Sequence, residues 1–175
     1  CKEFLRTELA KGWITDTPPP GPRDVMTAPI FPVVSPDKVR YVFDFSLQGR
    51  GINAGVQQQR LWQIRLPQTH DLARAVHEVA TAEAVIPSLV VRDISKAYRR
   101  IPVRRVDQHK LRFQWEGNSY WHTRLPFGLA SAAHIQCRIA SILARTVQRR
   151  FPRTRVLVYV DDFIMAGIDS NQSAV

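Results

Sequence analysis

Three stretches of the chain repeat apolar residues at intervals of three and four positions. They cover residues 2–13, 69–85 and 130–150. Because side chains three and four positions apart share one face of a helix, each stretch predicts an amphipathic helix. Gly12 lies near the end of the first stretch and Pro87 lies just beyond the second. Both residue types commonly mark the end of a helix, which supports these boundaries.

Between the helical stretches, short runs are rich in β-branched and aromatic residues, a composition typical of strands. Ser-Pro-Asp at 35–37 and Glu-Gly-Asn at 116–118 separate pairs of such runs and predict hairpin turns. Strands are predicted at 30–34, 39–45, 88–91, 111–115, 119–123, 155–160 and 163–167. The other predicted segments are a proline-rich connector at 17–22, a loop at 48–66 and a helical turn at 95–100.

Helices and strands that interleave in this way indicate an α+β fold, and 175 residues suffice for one domain or two small subdomains. The apolar content of 45% excludes a disordered tail. Cys1 and Cys137 form neither a disulfide framework nor a zinc-site pattern, so we expect an intracellular location, cytoplasmic or nuclear. With no long apolar run and no leader, we expect no membrane partner. A chain that begins with Cys is expected to be an internal fragment.

Lys and Arg exceed Asp and Glu by 25 to 15, and the net charge of +10 favours a polyanionic partner such as nucleic acid. The excess is concentrated in two segments. Residues 138–155 contain six Arg and no carboxylate, and residues 92–112 contain eight Lys or Arg against two Asp. A basic, solvated surface is the alternative interpretation of this charge.

Two adjacent carboxylates stand between apolar arms in the sequence Tyr159-Val160-Asp161-Asp162. Asp is a poor strand residue and an acceptable turn residue, so a solvated turn is the alternative to a functional site. Carboxylates held at a hairpin tip repel each other, and a divalent cation relieves that repulsion. Mg²⁺ suits such a site because it binds carboxylate and phosphate oxygens and retains some water.

A third carboxylate, Asp93, follows the predicted strand at 88–91. Alone, it would be interpreted as the N-cap of a helix. Together with Asp161 and Asp162 it completes three carboxylates, enough to hold two cations about 3.5–4 Å apart for in-line phosphoryl transfer. The spacing in the sequence leaves open whether the three side chains meet.

Four segments, in this order, resemble the motifs of reverse transcriptases. Residues 38–45 with Ile52-Asn53 resemble the fingers hairpin, and residues 91–103 resemble the first catalytic motif, an Asp followed five residues later by an aromatic. Residues 125–132 resemble the Leu-Pro-Phe/Gln-Gly motif that opens the long helix, and residues 159–162 resemble the catalytic hairpin. The match is most similar to retrotransposon enzymes with Leu-Pro-Phe-Gly motifs, including the Ty3-like and DIRS-like groups.

The resemblance implies a right-hand polymerase fold with its thumb absent and an antiparallel palm sheet packed against helices. Fingers are expected at 1–68 and 101–131, and a truncated palm at 69–100 and 132–175. The implied activity is template-directed addition of deoxynucleotides to a primer 3′-hydroxyl by two-metal phosphoryl transfer. The implied partners are an RNA or DNA template with its primer, deoxynucleoside triphosphates, and the rest of a polyprotein, including a thumb and, as a further candidate, ribonuclease H.

The resemblance also assigns roles to individual residues. Asp93, Asp161 and Asp162 are expected to be catalytic and to bind two Mg²⁺ or Mn²⁺ ions, with the backbone carbonyl of Ile94 as a further ligand. Tyr98 is expected to be a steric gate against the ribose 2′-hydroxyl, and a core aromatic is the alternative. The residues expected to contact the nucleotide are Lys38, Arg40, Ala97, Tyr98, Phe127 and Gly128. Those expected to contact nucleic acid are Tyr159, Arg145 and Arg149.

The chain departs from the family pattern mainly in the fingers. Ser46 stands where the motif usually has Arg, and Ser35 and Pro36 fall where a nucleotide-binding Lys is usual, which leaves Lys38 as a substitute. Two other functions stay open: an inactive nucleic-acid-binding remnant, and the palm of an RNA-dependent RNA polymerase. The three aspartates argue against the first and Tyr98 argues against the second, and the activity of the fragment alone stays open.

Overall fold

A computed structural model of the chain describes residues 1–47, 51–57 and 63–168, without the side chain of Lys38. The chain divides into two compact units. Unit 1 comprises Cys1–Leu61 and Lys96–Ala132, and unit 2 comprises Trp62–Ser95 and Ala133–Val175. Both units combine helical segments with antiparallel sheets, which confirms the predicted α+β class.

Unit 1 is built from one α-helix and five strands in the part of the chain that is described. These elements are α1 (Lys2–Ala10), β1 (Ile14–Thr15), β2 (Ile30–Ser35), β3 (Lys38–Phe43), β5 (Arg112–Trp115) and β6 (Asn118–His122). The hairpin β2–β3 is a sheet of its own, and a second sheet has the strand order β1-β6-β5. The described part of the unit also contains 3₁₀ helices at Ile52–Gly55, Ala97–Arg100 and Arg105–Leu111.

Aromatic rings from both sheets form the centre of the unit 1 core. The ring of Phe43 on β3 meets the buried ring of Phe113 on β5 edge-on at 4.8 Å and stacks near Phe45 at 6.3 Å. Leu5 of α1 and Ile14 of β1 are buried against the same cluster. Since burying one large apolar side chain contributes about 1.5–3 kcal/mol, this cluster fixes α1 and both sheets in one arrangement.

Two short elements of unit 1 were not predicted from the hydrophobic pattern. Strand β1 has only two residues and exists through its pairing with β6 rather than through local propensity. The 3₁₀ helix Arg105–Leu111 is mostly polar, and its Asp107 accepts hydrogen bonds from basic side chains on either side. The turn between β5 and β6 is also shorter than predicted, because Glu116 and Gly117 both adopt positive φ values and close a two-residue loop.

In its described residues, unit 2 is a three-stranded antiparallel sheet with two helices. Its elements are α2 (Thr69–Glu83), β4 (Ser88–Asp93), α3 (Ala132–Arg150), β7 (Arg155–Tyr159) and β8 (Asp162–Gly167). The strand order is β4-β8-β7, so the last strand in sequence lies in the centre. Helix α2 packs on β7 and β8, and α3 places Ala140 and Ala144 against Phe163 of β8.

The predicted helices of unit 2 are confirmed to within two residues at each end. A capping box begins α2: the backbone N–H of Gln68 donates to the Asp71 carboxylate at 2.9 Å, and the Gln68 side chain accepts in return. The helix ends where Ala84 adopts a left-handed φ of 55°, three residues before Pro87.

The strands of unit 2 differ from prediction at their ends, which changes the position of two aspartates. Strand β4 continues through Asp93, and Asp162 is already the first residue of β8 rather than part of the hairpin tip. The two-residue turn is therefore Val160-Asp161. In the part of the chain that the structure describes, no helix is long and apolar enough to cross a membrane.

Candidate active site

The β7–β8 turn holds the backbone of Val160 in an unusual conformation. Tyr159 pairs with Asp162 across the hairpin, so Val160 and Asp161 alone connect the strands. Val160 has a φ of 60°, in the left-handed region that glycine usually occupies at the first central position of hairpin turns. A β-branched residue there is strained. Strain of this kind persists where the surrounding structure imposes it and is concentrated at functional sites.

The sheet brings Asp93 directly opposite Asp162. Their Cα atoms are partners in the ladder between β4 and β8, and the backbone N–H of Ile94 donates to the carbonyl oxygen of Asp161 at 3.2 Å. Directly opposite residues in an antiparallel ladder project from the same face with Cβ atoms about 4.5–5.5 Å apart. The backbone therefore gathers Asp93 and the adjacent pair Asp161 and Asp162, about seventy positions further along the sequence, at one end of the sheet.

The donor set at this end of the sheet suits a hard divalent cation. Asp93 is exposed and Asp161 and Asp162 are half-buried, so their oxygens remain accessible. Two carboxylates directly opposite each other destabilise the ladder unless a cation lies between them. The side chains are not gathered into a ready ligand cage, since no group of three or more His, Cys, Asp or Glu is placed to hold a metal among the described residues. A metal site on these aspartates stays a prediction.

A thiol of α3 lies within electrostatic range of Asp161. Burial and the nearby charge of Asp161 both raise the pKa of Cys137, a residue of α3. The proximity was not predicted, because the two residues belong to different elements and no sequence pattern links them. Its consequence is that the Cys137 thiol, with its raised pKa, adds no negative charge near Asp161 at neutral pH.

In unit 1, the ring of Tyr98 lies against Phe127. The ring centroids are 4.5 Å apart at an interplanar angle of 41°. Tyr98 and Ala97 are buried within the 3₁₀ helix Ala97–Arg100, whereas Phe127 is 56% exposed. The structure thus brings together three of the residues predicted to contact a nucleotide.

The fourth residue of this group, Gly128, is held by a side chain from another motif. The amide of Asn53 donates to the carbonyl of Gly128 at 2.8 Å, and its oxygen accepts from the N–H of Ala130 at 2.8 Å. Gly128 has a φ of 91°, and a Cβ there would lie 2.3 Å from the carbonyl oxygen of Phe43. Only glycine fits this position, and Asn53 fixes the loop that it forms.

The remaining predicted residues lie on exposed positions. Arg40 lies on β3 opposite Val33 and is exposed, and the Lys38 side chain is outside the described part of the chain. Tyr159 is 48% exposed at the end of β7. Arg145 and Arg149 are exposed on α3, four residues apart and hence on one face.

A cleft of about 420 Å³ lies within unit 2 between α2, α3 and β7. Arg145 lines it together with Arg65, Arg74 and Arg155, and Asp71 and Glu78 partly balance their charge. Since none of the three aspartates lines this cleft, its shape carries no information about their chemistry.

Sequence reasoning missed the partners that hold the predicted residues. The role of Asn53 had a signal, because the residue belongs to a motif that the family shares. No sequence signal indicated the buried set of Glu8, Arg99 and His122 beside Tyr98. The three residues are far apart in the sequence, and none of them belongs to a recognisable pattern in its own segment.

Comparison with known proteins agrees with the motifs. Residues 32–173 match the family model described as reverse transcriptase (RNA-dependent DNA polymerase). No match was found among curated protein sequences.

Solved structures with the same fold include protease-reverse transcriptases of prototype foamy virus. The native enzyme shares 22% identity with a TM-score of 0.62 over 96% of this chain. The CSH mutant shares 21% identity with a TM-score of 0.66 over 96%. A third structure, the foamy viral dRH protein in complex with double-stranded DNA, shares 21% identity with a TM-score of 0.62 over 98%. The chain spans 19–25% of the length of these proteins.

The structural matches show the fingers and palm fold of a reverse transcriptase, as predicted. The family model covers most of the chain, including all three aspartates and the Leu-Pro-Phe-Gly segment. The chain therefore belongs to the reverse transcriptase (RNA-dependent DNA polymerase) family.

Proposed function

We propose that the chain is the catalytic core of an RNA-directed DNA polymerase, which adds deoxynucleotides to a primer 3′-hydroxyl on an RNA or DNA template. The observation that carries the proposal is the pairing of Asp93 with Asp162 beside the strained Val160-Asp161 turn, within a chain of this family. The motif residues gathered at one sheet end are those that nucleotidyl transfer requires.

In the proposed reaction, the primer 3′-oxygen bonds to the α-phosphorus, the bond to pyrophosphate breaks, and the hydroxyl proton leaves to solvent. Bound divalent cations, most simply two Mg²⁺ with Mn²⁺ as an alternative, supply charge neutralisation at the reacting phosphates. Asp93, Asp161 and Asp162 would hold these cations, and the carbonyl of Ile94 would be a further ligand. The contribution of the protein is positioning and electrostatics, as in other phosphoryl transfers.

We assign the nucleotide contacts to unit 1. Arg40 binds the triphosphate through its guanidinium fork, with Lys38 as a second cation. Phe127 and Gly128 line the base and sugar together with Ala97, and Tyr98 excludes a 2′-hydroxyl. Packing of Tyr98 against Phe127 supports the last assignment, because the contact restricts the ring that must clash with ribose.

On this proposal unit 1 corresponds to the fingers and unit 2 to the palm. The compact units differ in extent from the predicted subdomains: residues 62–68 belong to unit 2, and residues 96–100 and 132 belong to unit 1. Tyr159, Arg145 and Arg149 contact the template–primer. The Leu-Pro-Phe-Gly segment supports a retrotransposon origin of the Ty3-like or DIRS-like type. A thumb, and a ribonuclease H domain as a further candidate, then belong to the rest of a longer polyprotein.

The test is primer extension on an RNA template by the full-length protein that contains this chain, with deoxy- and ribonucleoside triphosphates in separate reactions containing Mg²⁺. Extension with deoxynucleotides in preference to ribonucleotides is the expected result. A preference for ribonucleotides would identify an RNA polymerase. Binding of the primer–template without any extension would identify an inactive remnant.

A further inference from the structure

Three buried charged or polar side chains of unit 1 form one network beside Tyr98. Among the described residues, the buried polar side chains are Glu8, Arg99, His122 and Gln136, and Arg99 contacts both Glu8 and His122. Arg99 Nη2 lies 2.7 Å from Glu8 Oε2, and Arg99 Nη1 lies 3.0 Å from His122 Nδ1. Burial of a charge is unfavourable unless a partner compensates it, so this concentration requires an explanation.

The hydrogen-bonding chemistry of the network permits one arrangement. A guanidinium only donates, so His122 Nδ1 accepts and the imidazole carries its proton on Nε2. His122 is fully buried, with its ring 4.4 Å from that of Phe43 and perpendicular to it. The Arg99 fork is therefore held at one nitrogen by a carboxylate from α1 and at the other by an imidazole at the end of β6.

Arg99 directly follows Tyr98 in the 3₁₀ helix Ala97–Arg100. That helix is four residues long and is entered through Lys96 in a left-handed conformation, with φ of 57°. With three residues per turn, adjacent side chains leave the helix about 120° apart, so anchoring Arg99 constrains the short helix from which Tyr98 projects. Arg99 is anchored to Glu8 and His122, while Tyr98 points to Phe127.

Stability alone is a poor explanation for such a network. Replacing a buried ion pair by apolar side chains of similar volume is often neutral or stabilising, whereas the pair specifies one geometry. A leucine-sized side chain at position 99 would fill the space in several orientations. In the Glu8–Arg99–His122 set, one end of the guanidinium is ion-paired and the other end is hydrogen-bonded, which favours one orientation of the Arg99 side chain.

We propose that Glu8, Arg99 and His122 form a positioning network that sets the orientation of the Tyr98 ring and so determines discrimination between deoxyribose and ribose. Arg99 acts through Tyr98 and touches neither substrate nor metal. This inference rests on the proposed function, because the orientation of the ring matters only if Tyr98 faces the sugar of an incoming nucleotide.

The test measures the ratio of deoxy- to ribonucleotide incorporation efficiency (kcat/KM) by the full-length protein on an RNA template. Arg99→Lys keeps the charge and loses the planar fork, and Glu8→Gln keeps an acceptor oxygen and loses the charge. We expect the ratio to fall at least about tenfold in Arg99→Lys and less in Glu8→Gln, mainly through a lower KM for the ribonucleotide. If Arg99→Lys does not fold, the ratio of deoxy- to ribonucleotide incorporation measured for Glu8→Gln decides whether the network affects discrimination.

Leu5→Ala is the matched control for lost stability. Leu5 is buried on the same helix as Glu8 and belongs to the same core, but it is not part of the network. Its substitution should lower the melting temperature at least as much as Glu8→Gln does and leave the ratio within about twofold. A fall in the ratio that follows melting temperature across all variants would overturn the inference.

A double variant separates failure of the network from failure of the proposed function. Tyr98→Val alone should abolish most of the discrimination, and Arg99→Lys added to it should change the ratio no further. If Tyr98→Val reduces discrimination and folded Arg99→Lys does not, the assignment of the positioning network is wrong, whereas the assignment of Tyr98 as the steric gate is retained. If neither changes the ratio, the assignment of Tyr98 in the proposed function fails as well.

Discussion

His122 shows how a single residue depends on its surroundings. Burial and the positive charge of Arg99 lower the pKa of His122 well below its usual value of about 6.5. In the unfolded chain the same imidazole takes up a proton as the pH falls through that value. A depressed pKa in the folded state therefore makes protonation favour unfolding, and the contribution of His122 to stability is lost as the pH is lowered from about 7.

We expect the free energy of unfolding to fall between pH 7 and 5.5 with a slope component of up to about 1.4 kcal/mol per pH unit from this residue. Urea titrations of the wild type and of His122→Phe, each at pH 7.5 and 5.5, measure it. We expect His122→Phe to be less stable than the wild type at both pH values. The quantity compared is therefore the difference in the free energy of unfolding between pH 7.5 and 5.5 for each protein. Equal pH dependence in the two proteins would contradict a buried neutral His122.

At the residue scale, sequence reasoning named candidate chemical groups and missed the side chains that hold them in place. Asp93, Tyr98 and Gly128 stand in motifs, so their types and spacing indicated them. The contact of Arg99 with Glu8 joins residues ninety-one positions apart, and no local pattern encodes such a pair. Motif residues can be predicted because they are defined by type, whereas their neighbours are defined by the packing of the whole unit.

The β7–β8 hairpin is the element in which local preference and observed structure disagree. Apolar alternation predicted both strands, and the ladder confirms them. The hydrophobic pattern could not fix the exact position of the turn, because Asp161 and Asp162 are both acceptable turn residues. Pairing of Tyr159 with Asp162 decides the register and places Val160, not an aspartate, at the strained position.

A glycine at position 160 should therefore be tolerated, unlike elsewhere in this hairpin. Removing the strained side chain recovers about 1–3 kcal/mol, while glycine costs about 0.5–1 kcal/mol in chain entropy. We expect Val160→Gly to leave the free energy of unfolding unchanged or raise it by up to about 2 kcal/mol. Chemical denaturation of the purified protein provides the measurement.

The same substitution at Val158, within β7 and packed on the Phe163 cluster, serves as the control. It should lower the free energy of unfolding by about 1–3 kcal/mol, because it removes buried contacts without relieving strain. A comparable loss in Val160→Gly would mean that the turn is not strained as described.

The charge of the whole molecule should appear in the salt dependence of nucleic-acid binding. Each phosphate contacted on duplex DNA contributes about −0.9 to the slope of log K against log salt. We expect Arg145→Gln and Arg149→Gln each to make the slope less steep by about 0.9. Fluorescence anisotropy of a labelled primer–template duplex between 50 and 200 mM salt, roughly the range over which phosphate contacts dominate, measures the slopes.

Arg153→Gln is the matched control on the same basic segment. The Arg153 guanidinium is already bound by the Glu83 carboxylate, which also raises its pKa. Its loss should leave the slope unchanged. Equal slopes in all four proteins would show that the face of α3 with Arg145 and Arg149 is a solvated surface.

The most direct test of the account concerns the three aspartates together. The measurement is the single-turnover rate of one deoxynucleotide addition on an RNA template by the full-length protein with Asp93→Asn, Asp161→Asn or Asp162→Asn. Each variant keeps the shape of the side chain and removes a charge, so each should lose on the order of 10²–10³-fold or more in rate while remaining folded. Asp71→Asn, at the capping box that begins α2 and away from the three aspartates, should stay within about twofold of the wild type. Wild-type rates in any folded variant of the three would contradict the proposed site.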